Sequence, residues 1–96
     1  MSQPLPRRLN VEATPEVQAG VYADFVGVWH QANSFVLDFS VYTSPPRVVE
    51  IDGQKVVNLN ARMVSRVRVP PSQVFEIMKA LEQQLSRWER EQGKQP

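Results

Sequence analysis

The chain has 96 residues, which is enough for one small domain but too short for two domains with separate cores. It contains no cysteine, and this excludes a disulfide framework and any thiolate metal site. Eleven lysines and arginines stand against ten aspartates and glutamates, and the net charge of +1 excludes the overall basic excess that is typical of nucleic-acid-binding proteins.

The first 19 residues are rich in proline and polar residues and show no sustained apolar period. Such a segment cannot bury enough surface to offset the entropy lost on ordering. We therefore expect residues 1–19 to form a disordered tail, residues 20–93 a single domain and residues 94–96 a short C-terminal tail. The sequence has no apolar run of the length that a membrane span needs, so we expect a cytoplasmic protein without a membrane partner.

The first half of the domain predicts a β-hairpin. Residues 21–29 place β-branched and aromatic side chains on both faces of an extended segment, which predicts a strand buried on both sides. A polar break at residues 31–34 precedes residues 35–42, where two sets of side chains alternate with a period of two. The two strands are therefore expected to pair through a short turn.

A second hairpin is predicted around Asp52-Gly53, the dipeptide that best supplies the positive φ angles of a type I′ turn. Its strands are residues 47–51 and 54–59. Residues 61–69 alternate again, and they form the last predicted strand. The arginines of this strand give it the clearest charge pattern in the chain.

An amphipathic helix follows Pro70-Pro71, because proline at the first helical position removes only an amide that would be unpaired anyway. The helix is expected to end near Gly93. Its apolar side consists of Val74, Ile77, Met78, Leu81, Leu85 and Trp88. We predict an α+β fold in which an antiparallel sheet of hairpins is followed by this helix, with the helix packed on the odd-numbered sheet face as the main source of stability.

Two sequence motifs carry a family resemblance. Residues 20–26 read GVYADFV and are followed by Trp29-His30, while residues 35–39 read FVLDF. The chain resembles a family of short prokaryotic proteins catalogued as a domain of unknown function. That family combines Tyr-x-Asn-Phe-Val, a nearby histidine, Phe-Val-Leu-Asp-Phe, and a strand that leads through a proline into a helix.

The second half of that pattern is similar to residues 64–71 and 80–82, so the resemblance covers residues 20–93. Asp24 stands where the family has asparagine, and the connection over residues 45–59 is longer than usual. The resemblance implies the limits of the domain, and it implies no activity.

The even-numbered face of the predicted sheet is the main candidate for an interaction surface. Asp24 and Asp38 lie there among three arginines, and charge pairing across strands is the simplest account of the pattern. A half-apolar face without a helix of its own needs another layer, and a second copy of the chain is the simplest source. The interface candidates are Tyr22, Asp24, Val26, Val28, His30, Asp38, Tyr42, Arg62, Val64, Arg66, Arg68 and, at the margin of the helix's apolar side, Phe75.

The same residues leave other functions open. Arg62, Arg66 and Arg68 would also suit phosphate groups, with Tyr22 and Tyr42 stacking on bases. A solvated face without any partner is a further alternative. We predict a non-enzymatic, homo-oligomeric protein-interaction module, a dimer or larger, that also admits another protein as partner. The alternative is a nucleic-acid-binding protein that uses the arginine strand.

Signatures of catalysis are nearly absent from the sequence. His30 is the single histidine, and without cysteine neither a Cys/His pair nor a multi-histidine metal site can be built within one chain. The four glycines form no phosphate-binding loop. We therefore expect no catalytic residue, no metal and no cofactor.

Overall fold

The computed structural model describes residues 3–93, so the predicted C-terminal tail lies outside the described residues. Five strands and a long C-terminal helix form the fold, and this confirms the predicted α+β class. In chain order the elements are α1 (Pro15–Ala19), β1 (Phe25–His30), β2 (Phe35–Tyr42), β3 (Arg47–Ile51), β4 (Gln54–Asn58), β5 (Ala61–Val69), a 3₁₀ turn (Pro71–Gln73) and α2 (Val74–Gly93).

The strands form two separate antiparallel sheets. A three-stranded sheet has the order β1-β2-β5, and β3 and β4 pair only with each other. The β3–β4 hairpin is therefore an excursion between two neighbouring strands of the main sheet. Asp52 and Gly53 at its tip have φ angles of 51° and 77°, as the predicted tight turn requires.

Strand β1 is shorter and more exposed than the sequence predicts. It begins at Phe25 rather than Val21, and none of its six residues is buried. The late start of β1 follows from its pairing with β2. The register pairs Phe25 with Ser40, and β2 ends at Tyr42, just before Ser44-Pro45-Pro46. Residues 21 and 22 thus have no strand to pair with, and the prediction that β1 is buried on both sides was wrong.

A short helix, α1, lies within residues 1–19, which were predicted to form a disordered tail. The Thr14 hydroxyl accepts a hydrogen bond from the Val17 amide at 3.4 Å, and Pro15 occupies the first helical turn. Thr14 and Pro15 are ordinary helix-start signals. The helix was not predicted because the prediction for this segment rested on its polar, proline-rich composition. Gly20, with a φ angle of 81°, ends the helix.

Helix α2 does not pack on the sheet, contrary to the prediction. None of its residues is buried, and its substantial contacts within residues 3–93 are with the 3₁₀ turn that precedes it. Leu81, expected in the core, is 66% exposed. An amphipathic period requires that one side of a helix be covered, but it does not specify which molecule covers it. No helix in the described part of the chain is both long and apolar enough to cross a membrane.

Candidate protein-interaction surfaces

The first surface is one side of the three-stranded sheet, here called the aspartate face. Directly opposed residues share a face, and the register pairs Trp29 with Val36, Gly27 with Asp38, and Asp38 with Arg66. The aspartate face consists of Phe25, Gly27, Trp29, Val36, Asp38, Ser40, Tyr42, Ala61, Met63, Arg66 and Arg68.

The second surface is the other side of the same sheet, here called the apolar face. Eight of its residues are aliphatic or aromatic, and it carries no carboxylate in any of its three strands. The apolar face consists of Val26, Val28, His30, Phe35, Leu37, Phe39, Val41, Arg62, Ser65, Val67 and Val69.

This division corrects the single even-numbered face that the sequence suggested. Val26, Val28 and His30 lie on the apolar face, because the even residues of β1 oppose odd residues of β2. Arg62 lies there too, since the register shifts between Phe39 and Ser40 and the numbering of β5 changes face at that point. Val64, which has no cross-strand partner at this shift, is half-buried.

A cluster of three side chains crosses all three strands on the aspartate face. The Asp38 carboxylate accepts hydrogen bonds from Arg66 Nε at 2.6 Å and Arg66 Nη2 at 3.0 Å. It also accepts one from Trp29 Nε1 at 2.9 Å. The Arg66 guanidinium carbon lies 5.5 Å from the centre of the Trp29 ring. A bidentate arginine pair with an aromatic donor fixes the relative positions of β1, β2 and β5.

The protonation of this cluster follows from its hydrogen bonds. Those from Arg66, and then from Trp29, hold the pKa of Asp38 below its usual value. The reciprocal hydrogen bond to Asp38 raises the pKa of Arg66. Asp38 is therefore ionised at neutral pH, and its charge is largely neutralised by Arg66. Of the pairings expected between the two aspartates and the three arginines, the structure contains Asp38 with Arg66, and it adds Trp29, which was not among the candidates.

Asp24 has a different role from the arginine pairing that was predicted. Its amide donates to the Ser40 carbonyl at 2.8 Å, and its carboxylate accepts from the Tyr42 amide at 2.9 Å. The side-chain hydrogen bond to Asp24 also raises the pKa of the Tyr22 hydroxyl. Asp24 thus satisfies the backbone where β1 begins and β2 ends, and the Tyr42 ring packs 5.1 Å from the ring of Phe25.

The other charged and ring-bearing candidates are dispersed. Arg68 donates from Nη1 to the neutral side-chain oxygen of Gln31 at 3.0 Å, and its positive charge also helps to lower the pKa of Asp38. The His30 ring lies 5.5 Å from the Phe35 ring on the apolar face. Among residues 3–93, no three histidine, cysteine, aspartate or glutamate side chains are grouped so as to hold a metal ion.

The third surface is the apolar side of α2. Five residues of that side follow one another at spacings of four, three, four and three, and all but the half-buried first residue are exposed; Ile77, also half-buried, lies beside them. We call this row the helix stripe; it consists of Val74, Met78, Leu81, Leu85 and Trp88. Phe75 lies beside the stripe, is exposed, and has the Lys79 ammonium 5.1 Å from its ring centre.

A groove of about 510 Å³ lies where the N-terminal segment passes the apolar face. It is lined by Glu16, Val17, Gly20, Val21, Phe39 and Ser65. Since Phe39 and Ser65 are cross-strand partners on that face, the N-terminal segment lies beside the part of the face next to the register shift. The strand residues Val26, Val28 and Val67 remain exposed.

A comparison with known families matches residues 1–94 to a family described as "Protein of unknown function (DUF3467)". The chain belongs to the DUF3467 family. The predicted membership of a family of unknown function is thereby confirmed, and the match includes the N-terminal segment that the resemblance had left out. Comparisons with curated proteins and with solved structures find no significant similarity to the chain.

Membership in the DUF3467 family assigns no chemistry to the three surfaces. The length of the break between β1 and β2 indicates the face on which Trp29 lies. The break at residues 31–34 is four residues long, which makes His30 oppose Phe35 and places odd residues of β1 beside even residues of β2. Trp29 therefore shares a face with Asp38 as soon as the hairpin register is known.

Proposed function

We propose that this DUF3467 chain is a non-enzymatic, homo-oligomeric protein-interaction module, an adaptor or assembly component that works in the cytoplasm. The observation that supports this most strongly is the near absence of a core within one chain. Among the described residues, Val36 is the one hydrophobic side chain that is buried. A cysteine-free sequence is in keeping with a reducing compartment.

The surface area of the chain gives this observation a magnitude. A compact protein of 11.0 kDa exposes about 5,600 Å². The chain exposes 9013 Å², an excess of about 3,400 Å² over that expectation. Its radius of gyration is 19.9 Å, where a compact domain of this length has about 12 to 13 Å. The hydrophobic effect disfavours such a shape for an isolated chain, so a partner is needed to cover it.

The size of the excess suits a second copy. If each of two copies buries half of its excess, the total interface is about 3,400 Å², within the range of roughly 2,000 to 5,000 Å² that obligate homodimers bury. A closed dimer is also the commonest symmetric assembly. The cluster of Asp38, Arg66 and Trp29 supports a role in assembly, because its hydrogen bonds join β1, β2 and β5 into one surface.

Light scattering coupled to size exclusion, together with small-angle X-ray scattering over a dilution series, tests the proposal. We expect a mass of two or more chains at micromolar concentration. A particle of 11.0 kDa at every concentration would contradict it. A monomer whose radius of gyration is near the compact value of about 12 to 13 Å would also contradict it, because the chain would then cover its own surfaces.

The alternative function, nucleic-acid binding, has weaker support in the geometry. The charge of Arg66 is engaged by Asp38, and Arg62 lies on the opposite face from Arg68. One observation favours it, namely that Arg68, which is hydrogen-bonded to the neutral Gln31, lies in the same cross-strand row as the exposed Trp29 ring on the aspartate face. Counterion release then predicts that replacing Arg68 by alanine flattens the salt dependence of oligonucleotide affinity by about one unit of slope.

Fluorescence anisotropy with single-stranded oligonucleotides measures that change. Arg47→Ala, on the separate β3–β4 hairpin, is the matched control. Binding that weakens with Arg68→Ala and not with Arg47→Ala would favour the alternative over the interaction module. Absence of binding by the unmodified protein would dismiss it.

A further inference from the structure

We infer that the helix stripe of one copy packs lengthwise on the apolar face of a second copy, so that two chains exchange their C-terminal helices. The inference rests on the proposed function and adds to it which surfaces meet. Its starting point is that the chain has one apolar sheet face and one apolar helix side, and neither is covered by the other within the same chain.

The two surfaces match in length. Helix α2 has 20 residues, which corresponds to about 30 Å at the usual rise. Strand β5 has nine residues and spans about 31 Å. A helix on a sheet face is one of the standard two-layer arrangements. Because α1 lies beside Phe39 and Ser65, the helix stripe is placed on the part of the face that carries Val28 and Val67.

Charge separates this arrangement from pairing of the two helices with each other. The spacing of the helix stripe also suits a coiled coil, but the positions that flank it carry Glu82, Glu89 and Glu91 and no cation along the last three turns. Two such helices would bring like charges together. The strand residues of the apolar face include no carboxylate, and their one formal charge is the cation Arg62; Glu16 of α1 lines the groove beside them. The apolar face is thus the better partner for a helix with acidic margins.

The opposite sheet side is a poorer partner for the helix stripe. The aspartate face holds a charged pair at its centre, with Asp38 and Arg66 bonded across β2 and β5. Burying that pair under an apolar helix would desolvate both ions. The apolar face instead exposes Val28 and Val67, which are 60% and 42% accessible, to receive side chains such as Leu81.

Disulfide mapping tests the inference, since a chain without cysteine allows each thiol to be placed by choice. One set of chains carries Val67→Cys and a second, mass-tagged set carries Leu81→Cys. The two are unfolded together, refolded as a mixture, oxidised gently and examined by mass spectrometry. Circular dichroism first verifies that each variant folds, and Val28→Cys replaces Val67→Cys if the latter does not.

We expect a disulfide between the two kinds of chain. Two matched controls should lose it: Gln83→Cys on the polar side of the same helix, and Met63→Cys on the aspartate face, whose residue is 47% exposed. A link from Leu81→Cys only to its own kind, or to Met63→Cys, would overturn the inference. A third sample carries Val67→Cys and Leu81→Cys in the same chain; a link within that chain and none between chains would overturn it as well.

Failure of the inference and failure of the proposed function remain separable. If light scattering reports a dimer and no thiol pair forms the expected link, the helices are not exchanged and the proposed function stands. If light scattering reports only monomers, the proposed function itself has failed.

Discussion

Replacing Leu81 by alanine measures what the helix stripe contributes to assembly. Burying a leucine side chain completely is worth about 1.5 to 3 kcal/mol. Because Leu81 is 66% exposed in the single chain, about two thirds of that remains to be gained at an interface, or about 1 to 2 kcal/mol for each helix. A dimer contains two equivalent sites. The dissociation constant should therefore rise by about 30- to 700-fold.

Sedimentation equilibrium or light scattering over a dilution series gives this constant. Gln83→Ala is the control, because it removes a polar side chain from the opposite side of the same helix and leaves helix propensity nearly unchanged. Equal dissociation constants for Leu81→Ala and the unmodified dimer would refute the reasoning. So would a loss of stability that does not depend on protein concentration, because Leu81 would then be covered within its own chain.

Three further predictions concern the fold. Val36→Ala empties the buried position and should lower the free energy of unfolding by about 2 to 3 kcal/mol. Val48→Ala, at a residue that is 67% exposed, should change it by less than about 0.5 kcal/mol. Urea denaturation at a fixed protein concentration compares the two variants, and equal losses of stability would contradict the assignment of Val36 to the core. Hydrogen bonds lower the pKa of Asp38 in the folded state. The ionised Asp38 therefore stabilises the fold above its unfolded pKa, and this contribution is lost as the pH falls below about 4. Asp38→Asn should remove this part of the pH dependence of the melting temperature, and an unchanged dependence would argue against the cluster. Gly53→Ala places a methyl group at a residue whose φ is 77°, with open space around it. The resulting backbone strain of about 1 to 2 kcal/mol should speed amide hydrogen exchange in β3 and β4 by about 5- to 30-fold. Unchanged exchange rates would contradict the turn assignment.

The local elements were largely predictable from the sequence. Strands β2, β3 and β5 begin and end where the alternation, the prolines and Asp52-Gly53 place them. Helix α2 likewise follows the proline pair and reaches Gly93. These features depend on side-chain periodicity and on backbone preferences of single residues, and both can be read without knowing any long-range contact.

The candidate site was only partly predictable, because faces depend on register. Charge pairing was expected between two aspartates and the three arginines of β5, and the structure shows it for Asp38 and Arg66. Trp29 was missed, and Arg62 was placed on the wrong side, because one hairpin turn and one register shift decide which residues share a face. A displacement by a single residue moves every side chain of a strand to the other face.

The sequence by itself determined the α+β class, the order of the strands along the chain and the amphipathic character of α2. Only the tertiary structure decided that the β3–β4 hairpin stands apart from the main sheet and that α2 leaves its own sheet uncovered. The physical reason is that hydrophobic burial is non-directional. The hydrophobic pattern shows which side of a helix or strand is to be buried. The arrangement of the elements in space decides which surface packs against that side.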